Sequence, residues 1–169
     1  MLLIAHSLKE LSFDKLMELY KSDNLERASK EYPNLSPYRG LERIEDEFYS
    51  YLQDGFFRQR GARYFILMEE DRYISAMRIE PYLDGVLINA LETALDYRRQ
   101  GYGELLFRQS LSLLNNEGAG KVYSHIYRNN RASSNLHKKC GFTLAYPYAR
   151  FLDGTTSSAA DTYVYPFEA

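Results

Sequence analysis

The chain has 169 residues, enough for one domain with a sizeable hydrophobic core. Apolar residues make up 45% of it and charged residues 26%, which is ordinary globular usage and argues against a disordered chain. The formal net charge is −2 and the signs are interspersed, without a basic stripe or a polybasic run. We therefore expect neither a nucleic-acid partner nor a membrane partner.

Cysteine content and apolar runs exclude further classes of protein. The single cysteine, Cys140, rules out an intrachain disulfide framework and a paired-cysteine metal cluster. No metal-ligand spacing is present, and we expect no metal. No stretch approaches 18 consecutive apolar residues, and the start lacks the features of a signal peptide, so the sequence predicts a cytoplasmic protein.

Two helices are predicted before residue 61. The first fits residues 7–21, where an apolar stripe follows Ser7, a candidate N-cap that would form a capping box with Glu10. A loop with two prolines follows, and the second helix fits residues 39–54, ending before Gly55.

From residue 61 the apolar pattern changes to the alternation typical of strands. The predicted strands are 62–68, 73–80, 86–95, 121–127, 142–151 and 161–167, and the predicted helices are about 103–116 and 131–140. No repeat, linker or second domain is visible. The order predicts a single α+β domain over residues 1–169, with two helices, a meander, a strand–helix–strand–helix unit and a closing hairpin.

The clearest motif is a strand that runs into a glycine-containing turn and then a helix, with the sequence Arg98-Arg99-Gln100-Gly101-Tyr102-Gly103 at the turn. Free N–H groups at a helix start bind anions, and glycine lets the backbone approach a ligand closely. Arginine adds charge that suits a pyrophosphate. The alternative is a tight turn with solvated arginines. A Rossmann turn is disfavoured because Leu106 stands where a third glycine is required, and the Gly-Lys-Ser/Thr of a P-loop is absent.

Two segments together resemble the GNAT superfamily of acyl-CoA N-acyltransferases. Residues 97–103 are similar to its common form Tyr-Arg-Gly-Lys-Gly-Ile-Gly, with Arg99 in place of a glycine. The downstream segment is similar to its second motif and runs Asn130-x-x-Ser133-x-x-Leu136-His137-x-Lys139-x-Gly141-Phe142. The specific similarity covers roughly residues 86–145, and the order of elements extends it across the chain.

The resemblance implies a central mixed, mostly antiparallel twisted sheet, flanked by helices and splayed where acetyl-CoA binds. Backbone groups near Leu91, Glu92 and Thr93 would hold the pantetheine as an added strand does. Residues 98–103 would hold the pyrophosphate, and Asn130 and Ser133 would contact the pantetheine arm. An N-cap role for Asn130 is the alternative, and both roles can coexist.

The resemblance also points to the groups that would handle protons. His137 occupies the position of the usual tyrosine acid, as in phosphinothricin-acetyltransferase-like members, and would face the sulfur of CoA; the alternative is a histidine on the helix surface. The strand position where that branch often carries a glutamate base is Ile88 here. Glu92 and Glu80 are therefore the candidates, and strand alternation keeps Glu92 on the face of Ile88 unless a bulge intervenes. Both carry the alternative of paired or exposed charge, and ordered water could replace them.

The resemblance thus implies acetyl transfer from acetyl-CoA to a primary amine in a ternary complex. The charge balance favours a small-molecule acceptor. A peptide or protein N-acetyltransferase and a non-catalytic acetyl-CoA-binding module are the alternatives. Homodimers are common among such folds, and the sequence leaves the oligomeric state open.

Overall fold

Apolar alternation in the middle of the chain produces the central strands of a mixed sheet, and strands from both ends of the chain extend it. The computed structural model describes residues 1–167. The strands are β1 Leu2–Ala5, β2 Arg63–Glu69, β3 Arg72–Tyr82, β4 Gly85–Thr93, β5 Lys121–Tyr127, β6 Thr143–Tyr146 and β9 Ala160–Pro166, and the two-stranded ribbon is β7 Ala149–Arg150 with β8 Thr156–Ser157. Within residues 1–167 the main sheet has seven strands in the order β1-β2-β3-β4-β5-β9-β6. Its β4–β5 pair is parallel and its other pairs are antiparallel.

In the described part of the chain, four α-helices cover the two faces of the sheet: α1 Phe13–Glu31, α2 Pro37–Asp54, α3 Tyr102–Asn116 and α4 Arg131–Lys139. Because successive strand residues point to opposite faces, Tyr64 and Ile66 of β2 join the core cluster that contains residues of α1 and α2. Phe65, between them, joins the cluster built with α3. The predicted single α+β domain with a mixed, splayed sheet is therefore confirmed. Within residues 1–167, no helix has both the length and the apolar character needed to cross a membrane.

The ends of the first helix differ from the prediction. Residues Leu8–Glu10 form a short 3₁₀ turn, and the Ser7 side chain caps no backbone group of it. The α-helix begins after Ser12, whose hydroxyl accepts a hydrogen bond from the Lys15 N–H. It continues to Glu31, ten residues beyond the predicted end at residue 21. The apolar stripe did not indicate these last turns because they are polar, and i,i+4 ion pairs such as Arg27–Glu31 stabilise them.

Both ends of the chain contain strands that the apolar pattern did not indicate. Residues Leu2–Ala5 form β1, which pairs with β2 in the register Leu3↔Ile66. In the tail, β6 and β9 confirm the closing antiparallel pair, but the strand predicted over residues 142–151 is interrupted. It ends as β6 at Tyr146, and Ala149–Arg150 pair as β7 with the short strand β8, which the sequence did not indicate. Four-residue and two-residue strands are too short to show a period, so only their pairing defines them.

The strand β4 is both bulged and splayed. Arg78 pairs with Asn89 and Ala76 with Glu92, so two steps along β3 span three along β4. Ala90 lies in this β-bulge with φ of 52°, and its carbonyl accepts a hydrogen bond from the buried Tyr20 hydroxyl at 3.1 Å. The pairing of β4 with β5 covers only residues 86–88 of β4. Beyond Ile88 the two strands separate, and a cleft opens between them.

Candidate active site

Three adjoining cavities follow the splay. The turn cavity, of about 560 Å³, lies between the end of β4, the turn before α3 and α4. The splay cavity, of about 500 Å³, lies between β4, β5 and α4. These two share the lining residues Leu91, Glu92, Asn130 and Ser133. The helix cavity, of about 400 Å³, lies between α1, α2 and the sheet, and it shares Arg78 and Ala90 with the splay cavity. Together the cavities run along both sides of the bulge.

The turn cavity is built around the start of α3. Gly101 is the N-cap, with φ of 86°, and among residues 1–167 no side chain caps this end. A Cβ added at Gly101 would meet no atom within 4 Å, so the backbone is open to a ligand. The N–H groups of the first helical turn have no carbonyl partner within the helix, and together with the helix dipole they attract an anion. Arg99 lines this cavity and adopts φ of 59°, a left-handed conformation, at the position where the GNAT motif commonly has glycine.

The Arg98 side chain is engaged with protein groups at the base of the turn. Its Nε donates to the Thr93 carbonyl at 2.9 Å, and its Nη2 lies 2.6 Å from a carboxylate oxygen of Glu92. Asp23 of α1 lies 3.6 Å from the same nitrogen. The Arg98 guanidinium thus connects the turn to β4 and α1. The unpaired backbone N–H groups at the start of α3 and the Arg99 side chain remain available to a ligand.

Glu92 lies where the turn cavity meets the splay cavity and lines both. The bulge at Ala90 precedes it, so simple alternation from Ile88 does not apply. Burial and the neighbouring Asp23 carboxylate raise the pKa of Glu92 to about 8, while the Arg98 guanidinium opposes this rise. A carboxylate with a pKa near neutrality is suited to accept a proton from an amine.

Glu80, the other candidate base, lies apart from the cleft. Its carboxylate accepts hydrogen bonds from the Asn89 amide at 2.7 Å and the Gln59 amide at 3.4 Å. It does not line the turn, splay or helix cavity. The structure therefore brings Glu92, and not Glu80, to the other predicted site residues.

His137 is buried, not exposed on the helix surface. Only 2% of it is exposed, it packs edge-on against Phe107 and Phe142, and it lines the splay cavity. Its Nδ1 lies 2.7 Å from the Ser133 carbonyl, which can only accept, so Nδ1 carries the proton. Nε2 is buried without a partner within residues 1–167. Burial lowers the pKa of His137, so the resting ring is neutral and Nε2 holds a lone pair.

The start of α4 supplies the remaining predicted contacts. The Asn130 side chain accepts a hydrogen bond from the Ser133 N–H at 3.1 Å, which is the N-cap interaction. Both residues also line the turn and splay cavities. A structural role and a place in the cleft therefore coexist at Asn130.

Tyr20 and Arg78 lie in the cleft but were not among the predicted site residues. Tyr20 of α1 bonds both the Ala90 carbonyl and, at 2.9 Å, the Tyr64 hydroxyl. Arg78 of β3 lines the splay and helix cavities. The sequence did contain a signal for Arg78, because a charged residue lies there two positions from the buried Ala76 in a mostly apolar strand.

A strand splayed from its parallel neighbour, beside a helix start that no side chain within residues 1–167 caps, is the arrangement that the resemblance to the GNAT superfamily implies. Residues 14–142 match the model of the acetyltransferase (GNAT) family. The chain belongs to this family and is an acetyltransferase. Comparison with curated protein sequences finds no match.

Solved structures share the fold at low sequence identity. The PaiA N-acetyltransferase from Thermoplasma acidophilum, in complex with coenzyme A, has a TM-score of 0.67 and 14% identity, with 99% of each chain covered. The ribosomal-protein-S18-alanine N-acetyltransferase from Escherichia coli has a TM-score of 0.60 and 20% identity, with 98% of this chain and 94% of the other covered. A Bacillus subtilis acetyltransferase in complex with CoA has a TM-score of 0.57 and 13% identity, with 73% and 84% covered. At these identities the similarity establishes the fold.

Proposed function

We propose that the chain transfers an acetyl group from acetyl-CoA to the primary amine of a small molecule, by direct transfer in a ternary complex. The observation that carries this proposal is the arrangement of the three cavities around the bulge at Ala90. The turn cavity has an anion site at one end, and the helix cavity opens between α1 and α2 on the other side of the sheet. Two ligands entering from opposite ends would meet beside Glu92.

The residues present fit acetyl-CoA. The open cradle at Gly101 and the N–H groups at the start of α3 suit its pyrophosphate, and Arg99 adds positive charge. Leu91, Glu92 and Thr93 lie beyond the last paired position of β4 with β5, so that edge of their backbone is available to pantetheine amides. When bound, acetyl-CoA supplies an acetyl group activated as a thioester.

Two side chains of the cleft are suited to move the protons. An amine must lose its extra proton before it attacks, and Glu92, with its raised pKa, would accept that proton at its carboxylate. His137 rests neutral with its lone pair on Nε2. It would therefore take a proton from the reacting nitrogen and pass it to the departing sulfur. This is a relay rather than the resting acid that the sequence predicted.

The size of the cavities supports a small acceptor. The splay and helix cavities, about 500 Å³ and 400 Å³, are each in the range of small-molecule sites. The alternative is a peptide N-terminus, because one structural neighbour is named as acting on an alanine of a ribosomal protein. Initial rates of CoA release with a panel of small amines and a panel of short peptides distinguish the two. Turnover confined to peptides would contradict the small-molecule proposal.

The anion cradle is tested by Gly101→Ala. The added Cβ would occupy the open approach to the backbone, and we expect affinity for acetyl-CoA, measured by calorimetry, to fall by at least about tenfold, equivalent to about 1.4 kcal/mol. Gly118→Ala is the matched control, because Gly118 has a similar φ of 78°, equally open surroundings and a position at the far end of α3. Both variants carry the backbone strain of a left-handed alanine, but only the first should lose affinity. Equal affinities would show that the turn is purely structural.

A further inference from the structure

Arg78 lies at the junction of the splay and helix cavities, on β3 opposite the bulge. Its guanidinium carbon is 5.1 Å from the ring centre of Tyr51 and 5.7 Å from those of Phe48 and Phe56. The three rings shield the cation from water on one side, and cation–π attraction partly compensates for that loss of hydration.

No anion of the described chain neutralises this cation. Among residues 1–167, no carboxylate oxygen lies within 4.0 Å of the Arg78 guanidinium, and its buried Nε has no hydrogen-bond partner. Two carboxylates line the same cavities, but each has another partner. Glu92 pairs with Arg98, and Glu47 bonds the Tyr32 hydroxyl and lies 3.9 Å from Arg43. A partly buried cation without an anion is unfavourable, and aromatic rings alone do not remove that cost.

A second arginine of the same sheet, Arg63, provides a comparison, because its guanidinium has a structural role only. Arg63 of β2 lies over the Phe65 ring at 5.1 Å and also has a buried Nε, but Glu117 binds its two terminal nitrogens. Arg63 lines none of the three cavities. The contrast separates a paired structural arginine from Arg78, which faces a cavity and has no such partner.

We propose that the acceptor carries a carboxylate as well as its amine, and that Arg78 binds this carboxylate. The guanidinium fork matches a carboxylate through two parallel hydrogen bonds. With the carboxylate at Arg78, the amine extends into the splay cavity toward Glu92. The acceptor class is therefore a small amino acid or a related amino carboxylate. This inference rests on the proposed function, because it names the substrate of the same cleft.

The test measures binding separately from acetyl transfer. Calorimetry on the CoA-saturated protein compares matched pairs that differ only in the anion: free α-amino acids, β-alanine and γ-aminobutyrate, each beside its carboxamide. We expect at least one acid to bind about 10- to 100-fold more tightly than its amide, the scale of a charged hydrogen-bonded contact. If no acid binds more tightly than its amide, the proposal is overturned, whether or not the protein acetylates other amines.

Two variants assign the effect to Arg78. Arg78→Met removes the charge but keeps an apolar stem against the rings, and it should abolish the preference for acid over amide while leaving the affinity for the amide within about threefold. Arg78→Lys keeps the charge without the fork and should retain part of the preference. Arg63→Met is the control for loss of a ring-stacked arginine, and its preference should equal that of the wild type. If Arg78→Met still binds the acid more tightly than its amide, the assignment to Arg78 is overturned. If Arg78→Met does not fold, the same conclusion follows from Arg78→Lys keeping the full preference for the acid. Failure of acetyl transfer to every amine contradicts the proposed function instead, since the binding preference is measured without it.

Discussion

At the scale of single residues, the chemistry of His137 is set by the carbonyl beside it. The Ser133 carbonyl fixes the proton on Nδ1, and the rings of Phe107 and Phe142 keep the imidazole dry. Desolvation disfavours the charged form and lowers the pKa, so protonation occurs only transiently. An imidazolium with a low pKa is a strong proton donor. This suits a ring that receives a proton from nitrogen and releases it to sulfur.

His137→Phe tests this relay without opening a cavity. Phenylalanine fills the same space between the two rings but has no nitrogen, so we expect kcat to fall by roughly 10²- to 10⁴-fold, the usual worth of positioned acid–base catalysis. Affinity for acetyl-CoA should change little, because the turn cavity is untouched. Urea unfolding should show a stability close to that of the wild type, because removal of the orphaned Nε2 offsets the loss of the Nδ1 hydrogen bond to the Ser133 carbonyl.

His137→Tyr provides the complementary variant. Its hydroxyl recreates the commoner acid of the family and should restore part of the rate that His137→Phe loses. A His137→Phe protein with the wild-type kcat on its true acceptor would reduce His137 to a packing residue.

The raised pKa of Glu92 predicts that the stability of the folded protein falls as pH rises. Its pKa is near 4.5 in the unfolded chain and about 8 in the folded protein. Between these pH values the native state keeps a proton that the unfolded chain has released. The free energy of unfolding of the ligand-free protein should therefore fall as pH rises from about 4.5 to about 8, and the fall should be shallower in Glu92→Gln.

The same carboxylate should control the rate. The deprotonated fraction of Glu92 grows as pH rises through about 8, so kcat/KM should rise along a limb with that midpoint. Glu92→Gln should remove this limb and lower the plateau. Urea titrations at pH 5, 7 and 9, together with a rate profile, give both results. An unchanged limb in Glu92→Gln would mean that water or another group is the base.

At the scale of secondary-structure elements, the sequence predicted those helices and strands that a regular apolar period or a motif marks. The alternation over residues 62–95, the helix of the anion turn and the short helix α4 all matched their elements closely, because each contains several periods or a cap. The predicted turn that holds Gly101 is present with its left-handed N-cap. The family motifs thus predicted the turn and the short helix that line the turn cavity, and the cofactor contacts of these residues stay a prediction.

The bulge on β4 was beyond that kind of prediction. Ala90 takes a positive φ although alanine has no preference for it, and the cause lies in tertiary contacts such as the hydrogen bond from Tyr20, seventy residues away in sequence. A bulge changes which side chains face the cleft, so the sequence could narrow the candidates for the general base only to Glu92 and Glu80. The unpaired state of Arg78 likewise depends on the packing of α2 against the sheet, which no local pattern contains.

At the scale of the whole molecule, the splay leaves the two halves of the sheet joined by a short seam between β4 and β5. One half contains β1, β2, β3 and β4, and the other contains β5, β9 and β6. Within residues 1–167 the two halves pair through the backbone only at residues 86–88 of β4, although side chains such as Phe107 of α3 and His137 of α4 also pack across them. The turn cavity is lined by residues from both sides, namely β4 and α3 on one and α4 on the other. A ligand in this cavity therefore bridges the seam.

Acetyl-CoA should consequently stabilise the whole domain and not only its own contacts. At a free concentration about one hundred times its Kd, a ligand that binds only the folded state adds about 2.7 kcal/mol to the free energy of unfolding. Because acetyl-CoA would connect β4 to α4, amide hydrogen exchange should slow in β5 and α4 as well as in the turn at residues 98–103. Gly101→Ala should lose this protection at the same acetyl-CoA concentration, and Gly118→Ala should keep it. Protection confined to the turn would show that the ligand binds one side of the seam without connecting the two.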